Sequence, residues 1–70
     1  MPVYMQVADI LRRRILTGRL APDDRLPSEA EIIELYGVGR KTARSAVKVL
    51  RDEGLVYTVS QRGSYVLPPK

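Results

Sequence analysis

The sequence contains no cysteine and no histidine among its 70 residues. Without them the chain cannot form disulfides, thiolate or imidazole zinc sites, a cysteine nucleophile or the most common general base. Long hydrophobic runs are missing as well, so no segment is predicted to span a bilayer and no signal peptide is visible. The absence of cysteine fits a reducing compartment. We therefore expect a cytoplasmic protein without membrane contact, cofactor, metal or enzymatic activity.

Acidic residues are fewer than basic ones, and this imbalance restricts the kind of partner. Eight Asp and Glu oppose twelve Lys and Arg, which gives a net charge of +4 and a pI near 9.9. A basic chain favours a polyanionic partner. With 44% hydrophobic and 29% charged residues the chain is globular, and its length allows a single domain, 1–70, with one modest core.

One segment, LYGVGRKTARSAVKVLR at residues 35–51, excludes carboxylates altogether. On a helix its cations occupy an arc of about 100°, and apolar residues occupy the neighbouring arc. Holding like charges together costs free energy unless something negative meets them, whereas a solvated face usually mixes in acids at i,i+4. Double-stranded DNA fits this helix, because its major groove admits an α-helix and its phosphates are closely spaced. The cations are Arg40, Lys41, Arg44, Lys48 and Arg51.

The spacing of apolar residues near the N-terminus predicts a first helix, which Gly18 ends. The opposite face of this helix carries three consecutive arginines at 12–14. We interpret these arginines chiefly as a solvated face, with a supporting phosphate contact as the alternative. The apolar positions, three or four residues apart, are Tyr4, Val7, Ala8, Leu11 and Ile15.

A second helix, about 28–36, is predicted from its capping signals. Ser28 followed by Glu31 is a capping box, which also explains the Ser28 hydroxyl without a catalytic role. We expect Ile32 and Leu35 to share one face of this helix, with Ile33 and Tyr36 at its flank. Gly37 ends it.

Only two residues separate that glycine from the predicted third helix, about 40–53, which contains the cations. Two helices joined by a tight turn with glycine form a helix-turn-helix, and Val38 in the turn is expected to point inward. A plain helical hairpin has the same spacing. The charge distribution of the third helix favours the helix-turn-helix.

Beyond Gly54 the pattern changes from helical to alternating. LVYTV at 55–59 and SYVL at 64–67 are rich in β-branched and aromatic residues, and SQRG between them is a turn. We expect a tip at about 61–63, where Arg62 would enter a minor groove and Gly63 would let the backbone turn. For this glycine, turn chemistry alone is an equally good explanation. The predicted fold is α+β, a three-helix winged helix-turn-helix with a C-terminal two-stranded β-hairpin wing.

In this order the motifs resemble the N-terminal winged helix-turn-helix domain of GntR-type bacterial transcription regulators. The resemblance covers residues 4–66 and is carried by LPSEAEI, YGVGRKTARSAVKVLRDEGLV and RGSYV, with VYMQVADILRRRILTGRLAP matching the first helix and loop. It implies sequence-specific binding to double-stranded DNA, with the third helix in the major groove, usually as a dimer on a palindromic operator. Such regulators normally carry a C-terminal domain that binds an effector and forms the dimer. We therefore expect no effector pocket in this chain and only weak homodimerisation, and the sequence leaves open whether a sensor domain was removed or never existed.

The resemblance assigns DNA contacts to both helices of the motif and to the wing. Arg40, Thr42 and Arg44 match the family's R-x-T-x-R pattern, and Ser28 and Glu29 match its PSE segment, whose amides can bind phosphate. The wing-tip glycine also matches. Together with the helical cations, the predicted DNA-binding residues are Ser28, Glu29, Arg40, Lys41, Thr42, Arg44, Lys48, Arg62 and Gly63.

Four positions depart from the family pattern. Ala30 stands where relatives commonly have an arginine that contacts DNA, so one anchor is missing. Gly39 replaces the usual Ser or Thr and loses a side-chain cap worth about 1 kcal/mol. Asp23 replaces the glycine that usually follows the proline, which affects the loop, and Lys41 adds a charge where relatives vary.

Two other functions are compatible with the sequence. A winged-helix module can bind a protein through its sheet and first helix, and a plasmid or phage accessory factor can use the same domain on DNA without a role in transcription. The cationic third helix argues against a protein partner. A salt titration separates these functions, because DNA binding by several cations weakens steeply with salt.

Overall fold

The computed structural model describes residues 1–68, so the last two residues of the predicted 1–70 domain lie outside it. The predicted α+β winged helix-turn-helix is confirmed, because three helices precede one antiparallel hairpin. In chain order the elements are α1 (Val3–Leu16), α2 (Glu29–Tyr36), α3 (Arg40–Asp52), β1 (Val56–Val59) and β2 (Gly63–Val66).

The core lies where α1, α2, α3 and the base of the wing meet. α1 and α3 each bury a stripe with three- or four-residue spacing, and Ala8, Ala43 and Ala46 let the two helices approach closely. The first and last residues of the predicted apolar face of α1, Tyr4 and Ile15, are half-buried. The buried side chains are Val7, Ala8, Leu11, Leu26, Ile32, Ala43, Ala46, Leu50, Val56 and Val66.

α2 begins at the predicted capping box. The Ser28 Oγ accepts a hydrogen bond from the Glu31 N–H at 3.1 Å, and the Glu31 carboxylate accepts one from the Ser28 N–H at 3.0 Å. The same contacts lower the pKa of Glu31, with the Ser28 N–H as the largest cause. Both hydrogen bonds of the capping box are therefore formed, and α2 starts at a defined residue.

The prediction that Leu35 shares the buried face of α2 with Ile32 is wrong. Ile32 is fully buried, but Leu35 is 59% exposed. Ile33 and Tyr36 pack against the core instead. At roughly 100° per residue, these two side chains lie on one side of Ile32 and Leu35 lies about 60° away on the other side. The direction from which the core approaches α2 decides between them.

The turn between α2 and α3 is as short as predicted. Gly37 adopts a left-handed conformation with φ +63°, and its N–H donates to the Ile33 carbonyl at 2.9 Å. Gly39 is extended and forms the N-cap of α3, while Val38 packs against the core between the two glycines. This anchored turn fixes the angle at which α3 leaves α2.

A third extended segment, which was not predicted as a strand, pairs with the wing. β1 and β2 pair antiparallel with Val56 opposite Val66, and an isolated bridge joins Arg25 to Tyr65 on the other side of β2. The Leu26 N–H donates to the Ser64 carbonyl at 2.8 Å. β2 is therefore held between two neighbours.

The loop that leads to this segment turns at Asp23, which has φ +66°. This is the position where glycine is usual in the resembled family, and aspartate is among the residues that tolerate a left-handed backbone best. Its side chain also accepts a hydrogen bond from the Tyr57 hydroxyl at 2.8 Å. The substitution thus joins the loop to the wing.

The arginines at 12–14 are not all solvated. The Arg12 guanidinium donates two hydrogen bonds to the Glu53 carboxylate, at 2.8 Å and 2.7 Å, and a further one to Asp9. Arg13, in contrast, is 80% exposed. The interpretation as a solvated face is therefore wrong for Arg12, which ties the middle of α1 to the end of α3. This ion pair also lowers the pKa of Glu53.

Candidate nucleic-acid interface

α3 separates its apolar and cationic faces as its sequence predicts. Its buried residues, Ala43, Ala46 and Leu50, lie against the rest of the domain. The remaining surface carries the cations, which are all exposed: Arg40, Lys41, Arg44, Lys48 and Arg51.

Three of these cations have a polar partner within the chain. The Arg44 Nε lies 3.5 Å from the Glu29 carboxylate of α2, and the Lys48 Nζ donates to Asp52 at 2.8 Å. This hydrogen bond is the largest cause of the lowered pKa of Asp52. The Arg51 guanidinium donates to the Thr58 hydroxyl of the wing at 3.1 Å. The cationic face is therefore partly compensated, which the absence of carboxylates from the segment did not predict.

The first turn of α3 is the uncompensated part. Among residues 1–68, Arg40 and Lys41 have no salt bridge and no side-chain hydrogen bond. Within the same residues, Gly39 provides no side-chain cap to the first amides of α3. Free helix amides and two unpaired cations, among the residues described, together make this end the most attractive part of the helix for an anion.

Thr42 belongs to this first turn, and the start of α2 lies beside Arg44, one turn further along the helix. Thr42 is half-buried, with less surface to offer than the neighbouring cations. Ser28 and Glu29 are half-buried as well, and both already have partners in the capping box and in the Arg44 pair. The structure thus brings Ser28 and Glu29 of α2 together with Arg44 of α3.

The wing tip is one residue earlier than predicted. Ser60–Arg62 form the loop, while Gly63 already pairs with Val59 as the first residue of β2. Arg62 is exposed at this tip. Gly63 has φ +120°, a backbone angle that residues other than glycine rarely adopt. Turn geometry therefore requires the glycine, whatever it contacts.

An open groove separates α3 from the wing, and residues at the N-terminus of α2 also line it. Arg44, Val47 and Arg51 form its α3 wall. Thr58, Gln61 and Ser64 lie on the wing side and were not among the predicted site residues. Strand alternation places Thr58 and its neighbour Ser64 on the face that points toward α3, so this signal was present in the sequence.

No helix within residues 1–68 is long and apolar enough to cross a membrane. The described elements, in their order and with a glycine-containing turn before α3 and a hairpin after it, define a winged helix-turn-helix domain. The family of bacterial regulatory proteins called the gntR family matches residues 3–66. The chain belongs to the GntR family.

Individual relatives agree with this assignment. The chain is 44% identical over 69 residues to the HTH-type transcriptional repressor NagR of Bacillus subtilis (strain 168), covering 99% of this chain and 28% of NagR. It is 38% identical over 69 residues to the histidine utilization repressor of Klebsiella aerogenes, covering 99% of this chain and 29% of that repressor. The chain thus spans less than a third of the length of either relative.

A solved structure shows a related domain on DNA. The crystal structure of the AraR DNA-binding domain in complex with operator ORR3 has a TM-score of 0.91 and 36% identity to this chain. The match covers 94% of this chain and 80% of the AraR chain.

Proposed function

We propose that this chain is the sequence-specific double-stranded DNA-binding domain of a bacterial transcription regulator. The observation that carries the proposal is the uncompensated first turn of α3, where Arg40 and Lys41 are exposed and have no salt bridge among residues 1–68. Membership of the GntR family and the likeness to the operator-bound AraR domain support it. Because DNA is the ligand, the site of action is the bacterial cytoplasm.

The first half of α3 enters the major groove in this proposal. Recognition helices usually approach base edges with their N-terminal residues, which here are Arg40, Lys41 and Thr42. Arg44 lies one turn further along, and its guanidinium can donate two hydrogen bonds to guanine. Glu29 holds Arg44 at 3.5 Å and can itself accept from the amino group of cytosine. The pair is thus suited to a G·C base pair.

The remaining predicted residues contact the DNA backbone and the minor groove. Lys48 extends from the middle of α3 and neutralises phosphate after it leaves Asp52. The wing tip, with Arg62 exposed and Gly63 close behind it, lies at the adjacent minor groove. At the start of α2, the amides around Ser28 bind phosphate through the positive end of the helix dipole.

We assign only DNA binding to this chain. The GntR relatives NagR and the histidine utilization repressor are more than three times as long, so dimerisation and effector binding of such regulators can reside in their other parts. The operator is a palindrome in this proposal, because two copies related by a two-fold axis place equal helices in successive major grooves. Both named relatives are repressors, and repression is the regulatory effect we propose.

Selection of bound duplexes from a random pool tests this function. The purified 70-residue chain should enrich one half-site with G·C base pairs, and its affinity for the selected duplex should fall linearly on a log–log plot against salt. Arg13→Ala, which removes a cation from α1 outside the groove, is the matched control and should bind like the parent. Recovery of random sequences, or an affinity that does not change with salt, would contradict the proposal and favour a protein partner.

A further inference from the structure

We propose that Arg51 positions the wing relative to α3, and that Thr58 and Ser64 carry this contact across both strands. The proposal rests on the DNA-binding function above and identifies residues that orient its two contact surfaces. Arg51 had been grouped with the cations that face DNA, but the structure gives its guanidinium a partner inside the domain.

The contact forms a continuous chain of hydrogen bonds from helix to wing. Arg51 Nη1 donates to Thr58 Oγ1 at 3.1 Å, and Thr58 Oγ1 lies 3.1 Å from Ser64 Oγ. Thr58 and Ser64 are directly opposite each other in the hairpin. Because the arginine is the donor in the first contact, the Thr58 hydroxyl proton is free to join the second. One side chain of α3 is therefore connected to both strands.

Packing holds the base of the wing but leaves its distal half to polar contacts. Val56 and Val66 anchor the base in the core, whereas Thr58, Val59 and the loop Ser60–Arg62 are exposed. On the side facing α3, an open groove lies between the helix and the distal half of the wing. Among residues 1–68, Arg51 makes the one side-chain hydrogen bond between α3 and the wing.

The opposite side of the wing is held differently. The backbone of Arg25 pairs with β2. The aliphatic carbons of the Arg25 side chain lie beside Gly63, 3.7 Å from the position that a Cβ atom would occupy there. The wing is thus held along the β2 edge by backbone hydrogen bonds and on the face toward α3 by Arg51. Removing Arg51 or its acceptor frees only the side that faces α3.

This arrangement has a consequence for DNA recognition. The first turn of α3 and the wing tip contact different grooves, so both reach DNA at once only if their separation matches the duplex. Arg51 sets that separation, and its charge is used for geometry rather than for a phosphate. Losing the hydroxyl of Thr58 should therefore disturb the wing without changing the number of cations.

Thr58→Val tests the proposal, because it removes the acceptor while keeping the shape and the net charge. We expect the affinity for the selected operator to fall about 3- to 10-fold, with an unchanged salt slope and unchanged base preference at the α3 end. Hydroxyl-radical protection should be lost only in the minor groove at the wing end. Thr58→Ser, which restores the hydroxyl, should behave like the parent, and Arg51→Ala combined with Thr58→Val should bind no worse than either alone.

A wild-type affinity and footprint for Thr58→Val, with a shallower salt slope for Arg51→Ala, would overturn the proposal and make Arg51 a phosphate contact. A measurement without DNA keeps this question separate from the proposed function. Residual dipolar couplings of the free protein should show the loop Ser60–Arg62 reoriented relative to α3 in Thr58→Val and unchanged in Thr58→Ser. Identical couplings in both variants would also overturn the proposal, whereas a parent that binds no duplex would refute DNA binding alone.

Discussion

At the scale of single residues, the five cations of α3 differ in the partners they already have within the domain. Lys48 bonds within its own helix and Arg51 bonds to the wing, so both have a partner before any ligand arrives. Arg40 and Lys41 have none among residues 1–68 and can meet DNA without breaking an internal contact. An exposed ion pair contributes little free energy, so Arg44 can leave Glu29 at small cost. The mutational effects should therefore differ along the helix.

Arg40→Ala should weaken binding to the selected operator by about 1–3 kcal/mol and relax the base preference at one position, because in the proposed complex this residue donates to a base edge. Lys48→Ala is the comparison, since it should weaken binding evenly across sequences and make the salt slope shallower. Fluorescence anisotropy with operator and scrambled duplexes measures both. The assignment of the major groove is wrong if Arg40→Ala discriminates between the two duplexes as well as the parent does.

Ala30→Arg should increase affinity, because Ala30 is exposed on the groove next to Glu29 and a cation there can reach a phosphate or a base. One new phosphate contact should steepen the slope of log affinity against log salt by about 0.9. Ala30→Gln, which adds length without charge, serves as the control and should keep the parental slope. Equal slopes for both variants would show that the groove at this position does not face DNA.

At the scale of elements, each helix is stable because its apolar stripe meets the core, and α2 shows how narrow that stripe is. Ile32 is buried and Leu35 is largely exposed although only two residues separate them. α3 depends on the same burial through Leu50, which is fully enclosed. Similar leucines on neighbouring helices should therefore differ sharply in their contribution to stability.

Leu50→Ala should lower the free energy of unfolding by about 2–5 kcal/mol, because a fully buried leucine leaves a cavity when it is truncated. Leu35→Ala removes the same atoms from a side chain that is 59% exposed and should change stability by no more than about 0.5 kcal/mol. Urea unfolding followed by circular dichroism compares them directly. Equal losses would mean that α2 packs differently from the arrangement described.

At the scale of the whole molecule, ion pairs between elements make the stability depend on pH. The pKa of Glu53 is lowered chiefly by the hydrogen bond from Arg12, which joins α1 to the end of α3 across 41 positions of sequence. A carboxyl group with a depressed pKa stabilises the folded state above its unfolded pKa. That contribution is lost as the pH falls through the lower, folded value.

The domain should therefore become less stable as the pH falls below about 4.5, the ordinary value for a glutamate. Glu53→Gln should be less stable than the parent at pH 7, by no more than about 1 kcal/mol because the pair is partly exposed, and the difference should shrink at pH 3. Thermal melting at both pH values measures this. Glu34→Gln, on the exposed side of α2, controls for the loss of one acidic group, and a constant gap for Glu53→Gln would contradict the role of Arg12.

The sequence by itself determined the local elements of this protein. The capping box at Ser28, the turn at Gly37 and the cationic arc of α3 depend on residues within about one helical turn of each other, so their spacing is readable without a fold. Alternation predicted the wing for the same reason. These local signals were sufficient for the GntR resemblance, which the family match confirmed.

Only the tertiary structure decided which charged side chains have a partner within the domain and which are left for a ligand. Glu29 approaches Arg44 from another helix, Thr58 approaches Arg51 from the wing, and Glu53 reaches Arg12 from the far end of α3. The exposure of Leu35 was settled in the same way, by the side of α2 on which the core lies. Such contacts join positions far apart in sequence, and they depend on how the elements pack, which no local spacing encodes.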